Sequence, residues 1–245
     1  MKTMDKVYPN AEQAIADVFE GASIMFGGFW YTGFPAELTR ALLKKGAKKL
    51  TVIAQSVGVG NDLDLLAQNG QIKRAIVNYA FFPSPDKTTE FERQLRAHEI
   101  KCETYPMGTF IEKIRAGGAG IAAFYTPTGV GTVIAQGKEH RFFGGREYIM
   151  EEALKADFAF VHAYKGDRKG NLAYRKAARN YNPEMAMAGR ITIAEVENLV
   201  EVGELDPDCI HTPGIYVQRV VKVERPTVTF RFEYGELWRA RKDQG

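Results

Sequence analysis

The chain has 245 residues, 45% hydrophobic and 26% charged, enough for one sizeable core or two small domains. Its 33 Lys and Arg against 30 Asp and Glu leave a net charge of +3, too little to argue for nucleic acid or an anionic membrane. No basic run is interleaved with aromatics, Cys102 and Cys209 lie far apart, and the four histidines do not cluster, so neither a nucleic-acid surface nor a metal site is expected. "MKTMDKVYPN" has no apolar signal core and no apolar run approaches a membrane span, so the expectation is a soluble, cytoplasmic protein.

In chain order, Asn10 is the cap of a helix with Ala14, Ile15, Val18 and Phe19 on its apolar face. A strand over Ser23–Gly27 leads through "GGFWYTGFP" to a helix that Pro35 starts and Gly46 ends. "KLTVIAQ" reads as a strand, "DLDLLAQNG" as a short helix stopped by Gly70, and "KRAIVNYA" as another buried strand. A turn-rich loop, "FFPSPDKTT", precedes a helix around Glu90–Ala97; "KCETYP" is a strand and "GTFIEKIRAG" a short helix.

The stretch Gly117–Gly145 holds eight glycines and little helical period, and reads as a long loop of the functional kind. "DFAFVHAY" and "NLAYR" are strands joined by the tight turn "KGDRKGN", and "RITIAEVENLVEV" and "GIYVQRVVKV" supply the last strong strands. Strands alternating with short helices imply an α/β fold: an open, mostly parallel sheet flanked by helices, with antiparallel hairpins in the C-terminal half. The expected division is one domain over residues 1–225 and an extension over 226–245, whose alternating pattern would cover an edge or reach a partner.

The chemistry is not that of a common nucleotide enzyme. "GVGNDL" follows a strand and opens a helix, but Leu63 stands where a dinucleotide loop needs its third glycine. Asn61 could donate and accept at that loop tip. There is no Walker-type Gly-Lys-Ser/Thr, no Gly-x-Ser-x-Gly, and neither cysteine has a catalytic context. Glu197-Asn198, inside an alternating apolar run, reads as sheet surface.

Four motifs nevertheless stand together: "EGASIMFGGFWYTGFP", "GTFIEKIRAGGAG" with "FYTPTGVGT", "KGDRKGNLAYRKAARNYNP", and "DCIHTPGIYV". In these the chain resembles the A (α) subunit of a family I CoA-transferase of the 3-oxoacid type, over nearly its whole length. The resemblance implies a CoA-transferase (NagB/RpiA-like) fold and ping-pong transfer of CoA from an acyl-CoA to a free carboxylate. A glutamate attacks the thioester, giving an acyl-glutamyl anhydride and then a glutamyl-CoA thioester, so one hard exchange becomes several easier ones.

That glutamate belongs to a Glu-Asn-Gly of the B (β) subunit. This chain lacks the motif, Glu197-Asn198-Leu199 being a decoy, so no catalytic nucleophile is expected here and the chain alone should be inactive. The implied partner is a β subunit, commonly as α2β2. Coenzyme A is implied as co-substrate, with no permanently bound cofactor.

The α subunit would then supply part of the cleft. The resemblance points to Gly27, Gly28, Phe29 and Gly33 of the first signature, to Gly108, Thr109, Arg115, Gly117 and Gly118 of the central one, and to Phe124 as core or substrate wall. Two positions depart from the family pattern. Met107 replaces the glutamine of a Pro-Gln-Gly-Thr stretch, and Gln55-Ser56 stands where many relatives carry Asn-Asn. Losing a preorganised oxyanion donor costs on the order of 3 kcal/mol of activation energy. Either Gln55 takes over the amide role, or the chemistry has drifted toward thioester hydrolysis. Trp30 and Tyr31 stand where relatives carry smaller residues and would narrow the acyl end. A sugar-phosphate isomerase on a similar scaffold is the more distant reading; its acidic cluster and phosphate loop are absent from the sequence. Lys165, Asp167, Arg168, Arg179 and Asn180 read as a structural turn or a contact between subunits.

Overall fold

The computed structural model describes residues 5–59, 61–81 and 88–224. The proposed extension over 226–245 lies outside the described residues. Twelve strands are found among the described residues: β1 (Val7–Tyr8), β2 (Ser23–Phe26), β3 (Leu50–Ser56), β4 (Ile72–Tyr79), β5 (Lys101–Thr104), β6 (Ala123–Thr126), β7 (His140–Phe143), β8 (Arg146–Glu152), β9 (Ala156–Asp167), β10 (Leu172–Ala173), β11 (Gly189–Val200) and β12 (Arg219–Lys222). The α-helices are α1 (Ala11–Ala14), α2 (Ala36–Lys45), α3 (Asp64–Gln68), α4 (Glu90–Arg96), α5 (Met107–Ala119) and α6 (Asn182–Ala188).

The main sheet runs β1-β12-β11-β9-β2-β3-β4-β5 and is parallel throughout, with β10 added antiparallel to β9. From β2 the chain steps outward through β3, β4 and β5, then returns to the other side of β2 as β9. The strand order therefore reverses between β2 and β9, the place where open α/β sheets bind ligands beyond their carboxyl ends. Alternation divides the buried side chains between two cores. Ile24, Phe26, Val52, Phe158, Phe160 and Ile193 face α1 to α4. Met25, Ile53, Ala159, Val161, Ala194 and Val196 face α5 and α6.

Local signals are obeyed where the chemistry is explicit. Asn10 accepts the Gln13 N–H at 2.9 Å as an N-cap, and Gly46 ends α2 at φ 73°. α1 is only one turn, however, and Phe19, expected on its buried face, is 46% exposed.

The glycine-rich stretch is not one long loop, though its middle, residues 127–139, is turn and 3-10 structure. Gly117 and Gly118 lie inside α5, where a Cβ would stand 2.2 Å from the Leu154 carbonyl oxygen and 2.6 Å from Met187 Cβ. Their bareness allows α5 to pack against α6 and the segment leading into β9. The remainder supplies β6 and β7, joined by turns that include a 3-10 turn over Val133–Ala135, and both strands pair antiparallel with β8 in a three-stranded sheet. "GIYV" is no strand either: Gly214–Tyr216 is a single 3-10 turn after Pro213, and its Gly214 N–H donates to Asn171 Oδ1 at 2.8 Å. Helix α6, opened by Pro183 in its first turn, is absent from the sequence-based expectation. Among the described residues no helix is long and apolar enough to cross a membrane.

Candidate active site

The first signature forms a strap over the carboxyl edge of β2. The Gly27 N–H still pairs with the Phe160 carbonyl at 2.9 Å, and Phe29 and Thr32 exchange backbone hydrogen bonds at 3.0 and 3.1 Å. This puts Trp30 and Tyr31 at the tip of a tight turn. Trp30 is 41% exposed and adopts φ 53°, a strained conformation for a bulky residue and one that clusters at functional sites. Phe29 packs on the α5 side of the sheet and Phe34 on the α2 side.

Asn182, at the first turn of α6, is wholly buried and holds the strap from below. Its Oδ1 accepts the His162 N–H at 3.1 Å, while Nδ2 donates to the carbonyls of Gly33 and Ala178, both at 2.9 Å. A Cβ on Gly27 would lie 1.9 Å from that Oδ1, and one on Gly33 2.8 Å from Nδ2. These two glycines are needed because an amide fills their side-chain space.

On the α5 side, Tyr181 gathers the edge. Its ring stacks on Phe29 at 6.3 Å and meets Phe110 edge-on at 5.9 Å, and its hydroxyl donates to Asn78 Oδ1 at 3.1 Å. Asn78 in turn donates to the Tyr105 carbonyl at 3.0 Å. Met107 begins α5 and is 52% exposed; Gly108 beside it faces open space; Thr109 is buried and its hydroxyl has no partner among the described residues. Gln55 and Ser56 are buried at the end of β3, with the Ser56 hydroxyl 2.9 Å from Gln55 Oε1. The Asn61 amide is used within its own loop: Oδ1 accepts from Gly58 and Leu63 N–H, and Nδ2 donates to the Ser56 carbonyl.

The central signature is split along α5. Arg115 is exposed and paired with Glu112, and Gly117 and Gly118 lie about 15 Å further along the helix axis than Met107. Phe124 is half-buried on β6. The structure brings Phe29, Trp30, Gln55, Ser56, Met107 and Gly108 to the same carboxyl edge, and leaves Arg115, Gly117, Gly118 and Phe124 away from it.

On the α2 side, a cavity of about 400 Å³ lies at the reversal between β2 and β9, lined by Tyr31, Gly33, Asp62, His162, Arg175 and Glu197 among others. Its floor is a charged bridge. The β9–β11 register places His162 opposite Glu195, with Nδ1 2.9 Å from Glu195 Oε1 and Nε2 3.3 Å from Glu197 Oε1. Glu195 Oε2 also accepts the Leu38 N–H in the first turn of α2 at 2.9 Å. Burial alone would lower the pKa of the His162 imidazole, but the hydrogen bonds and charges of Glu195 and Glu197 outweigh it and hold the value above the usual one. Burial, with the Asp62 carboxylate, pushes the Tyr31 phenol up. At the mouth the Arg175 guanidinium sits 4.4 Å from the centre of the Tyr164 ring. Glu197, read from sequence as sheet surface, is thus drawn into the cavity by His162.

A family model described as coenzyme A transferase matches residues 8–223. The chain belongs to the coenzyme A transferase family. A Bacillus subtilis (strain 168) protein, named as the A subunit of a probable succinyl-CoA:3-ketoacid coenzyme A transferase, is 48% identical over 241 residues, 95% of this chain and 99% of its own. The A subunit of the 3-oxoadipate CoA-transferase of Pseudomonas putida is 46% identical over 221 residues, 90% of this chain and 94% of its own. Among solved structures, glutaconate coenzyme A-transferase from Acidaminococcus fermentans matches 89% of this chain and 76% of its own at a TM-score of 0.79 and 21% identity, a likeness of fold alone. An acyl-CoA transferase from E. coli O157:H7 matches with a TM-score of 0.78 at 22% identity over 90% of this chain and 48% of its own, so the chain spans about half that protein's length.

Sequence reasoning on this CoA-transferase chain missed His162, Glu195, Asn182, Tyr181 and Asn78. Period-two alternation offered a signal for the first two. Phe160-x-His162-x-Tyr164 and Ile193-x-Glu195-x-Glu197 put polar groups on a face otherwise committed to the core, and buried polar groups require partners. Asn182 and Tyr181 gave no such signal, because their roles depend on where a strap distant in sequence happens to pass.

Proposed function

We propose that the chain is the A half of a heteromeric CoA-transferase that moves CoA between an acyl-CoA and a carboxylic or 3-oxo acid. The observation that carries this reading is the near full-length match to proteins named as A subunits, in a chain that itself lacks Glu-Asn-Gly. In this reading the nucleophilic glutamate is the β subunit's, the assembly is α2β2 and cytoplasmic, and coenzyme A comes and goes as co-substrate. The strap and the start of α5 form this chain's wall of the cleft, from Gly27, Gly28, Phe29, Gly33, Gln55, Ser56, Gly108 and Thr109.

Trp30, Tyr31 and Met107 shape the acyl end. Exposed Trp30, Tyr79, Phe81 and Met107 at one edge support a surface that another chain covers. Gln55 is the nearest candidate for the amide that Met107 does not supply.

Measuring succinyl-CoA-dependent formation of acetoacetyl-CoA by the reconstituted heteromer tests the reading directly. CoA exchange that needs a carboxylate acceptor supports it, whereas steady release of free CoA without one assigns the pair to thioester hydrolysis. Trp30→Gly with Tyr31→Leu is expected to shift acyl preference, and an unchanged substrate profile in the intact heteromer removes these two residues from the acyl wall.

A further inference from the structure

The bridge beneath the strap is tied to it from two directions. Glu195 reaches the first turn of α2, which directly continues the strap through Pro35, and the His162 backbone N–H holds Asn182, which grips Gly33. His162 is the piece shared by both ties. We propose that His162, as an imidazolium bridging Glu195 and Glu197, is a positioning residue for CoA transfer that sets the strap carrying Trp30 and Tyr31. The inference rests on the transferase reading above.

Counting donors shows why the charge state matters. An imidazolium offers two N–H donors, one for each carboxylate; a neutral imidazole offers one and presents a lone pair to the other. Glu195 is fully buried and has the Leu38 amide as a second partner, so it retains the proton-bearing nitrogen. Glu197, 18% exposed, then faces a lone pair and is released toward the mouth. Arg175 and Lys176 stand there as cations, the Arg175 guanidinium over the Tyr164 ring.

The other titratable groups facing the bridge are Asp62 from the loop after β3, itself 3.7 Å from Arg40, the Tyr31 phenol from the strap, and Tyr164 from β9. A permanent cation at position 162 would keep the bridge closed at any pH, and a neutral amide, with donors on one end only, would present its oxygen to one carboxylate as the neutral imidazole presents its lone pair.

The test uses the heteromer with His162→Gln, His162→Lys and Glu197→Gln. It records kcat and KM for acyl-CoA against pH, together with hydrogen exchange in the 27–40 segment. In the parent, kcat is expected to fall and strap exchange to rise as pH climbs through the imidazole's raised range, with KM changing less. His162→Gln should show the high-pH behaviour at every pH, with kcat roughly ten- to a hundredfold down. His162→Lys should hold the parent's low-pH kcat and slow exchange across the range. Glu197→Gln should move both transitions to lower pH.

A His162→Gln variant with the parent's pH profile overturns the proposal. So does a His162→Lys variant that behaves like the Gln variant, or strap exchange indifferent to pH. If the parent heteromer transfers no CoA, the transferase reading falls, and the exchange experiment still decides the positioning role. If the Gln variant does not fold, the Lys and Glu197→Gln variants carry the same decision.

Discussion

The two sides of the strap are built on opposite principles. The α2 side is charged and internally paired beneath its cavity: Glu195, His162 and Glu197 satisfy one another, and α2 caps the bridge through Leu38. The α5 side is open and apolar, with Met107 and Trp30 exposed and Gly108 facing empty space. A chain that carried a whole site would be expected to finish both sides. Here one side fixes the backbone and the other leaves a surface for something else to complete, which suits a chain working as half of an enzyme.

Variants on each side put this contrast at risk. The open side has a buried clamp of its own, in which Glu151 of β8 receives Lys113 of α5 at 2.9 Å and also pairs with Lys138. Glu151→Ala leaves the Lys113 ammonium buried without its carboxylate, an expected loss of about 3–5 kcal/mol on chemical denaturation. A loss near zero would mean that α5 is not anchored to the small sheet in this way.

Gly27→Ala pushes a methyl into the Asn182 amide and should cost about 1–3 kcal/mol or more. Gly108→Ala meets nothing within 4 Å and, in a helix, should be neutral or stabilising by about 0.5–1 kcal/mol. Unfolding midpoints measured side by side test the pair, and equal effects would mean that the Asn182 amide does not fill the space beside Gly27.

His162 makes stability depend on pH with a definite sign. Its folded pKa lies above the usual 6.5, so its contribution is fully present below the unfolded value and is lost as pH rises through the folded one. The unfolding free energy of the parent in urea should fall over that alkaline-going window, by no more than about 1.4 kcal/mol per pH unit, and that of His162→Lys should not. The smallest effect belongs to Arg115. Its ion pair with Glu112 is exposed, so Arg115→Ala should leave stability nearly unchanged. An accompanying drop in heteromer activity would mark a role in the assembled cleft that the isolated chain does not display.

Much of the layered fold was legible, because it rests on local chemistry: the Asn10 cap, the Gly46 stop, and apolar runs such as Leu50–Ser56 and Ile72–Tyr79 that only a doubly covered parallel strand requires. The stretch from Gly117 to Gly145 misled because glycine serves two purposes, and here two of the eight make room for a neighbouring element rather than freeing the chain. The strap was recognisable as a motif, but the reason for Gly27 and Gly33 is Asn182, which lies 149 residues beyond Gly33. No local rule could connect them. Glu197 was misread because alternation shows which face a side chain takes, not whether a buried histidine stands opposite.

This chain is held to lend a wall and not the nucleophile, and the covalent intermediate decides the point. Incubating the heteromer with acyl-CoA in the absence of acceptor, followed by peptide mass spectrometry, locates the CoA adduct. The adduct is expected on a glutamate of the partner subunit, with none on this chain and no activity from this chain alone. An adduct on Glu197 or any other residue of this chain, or CoA exchange by the chain alone, would overturn that division of labour.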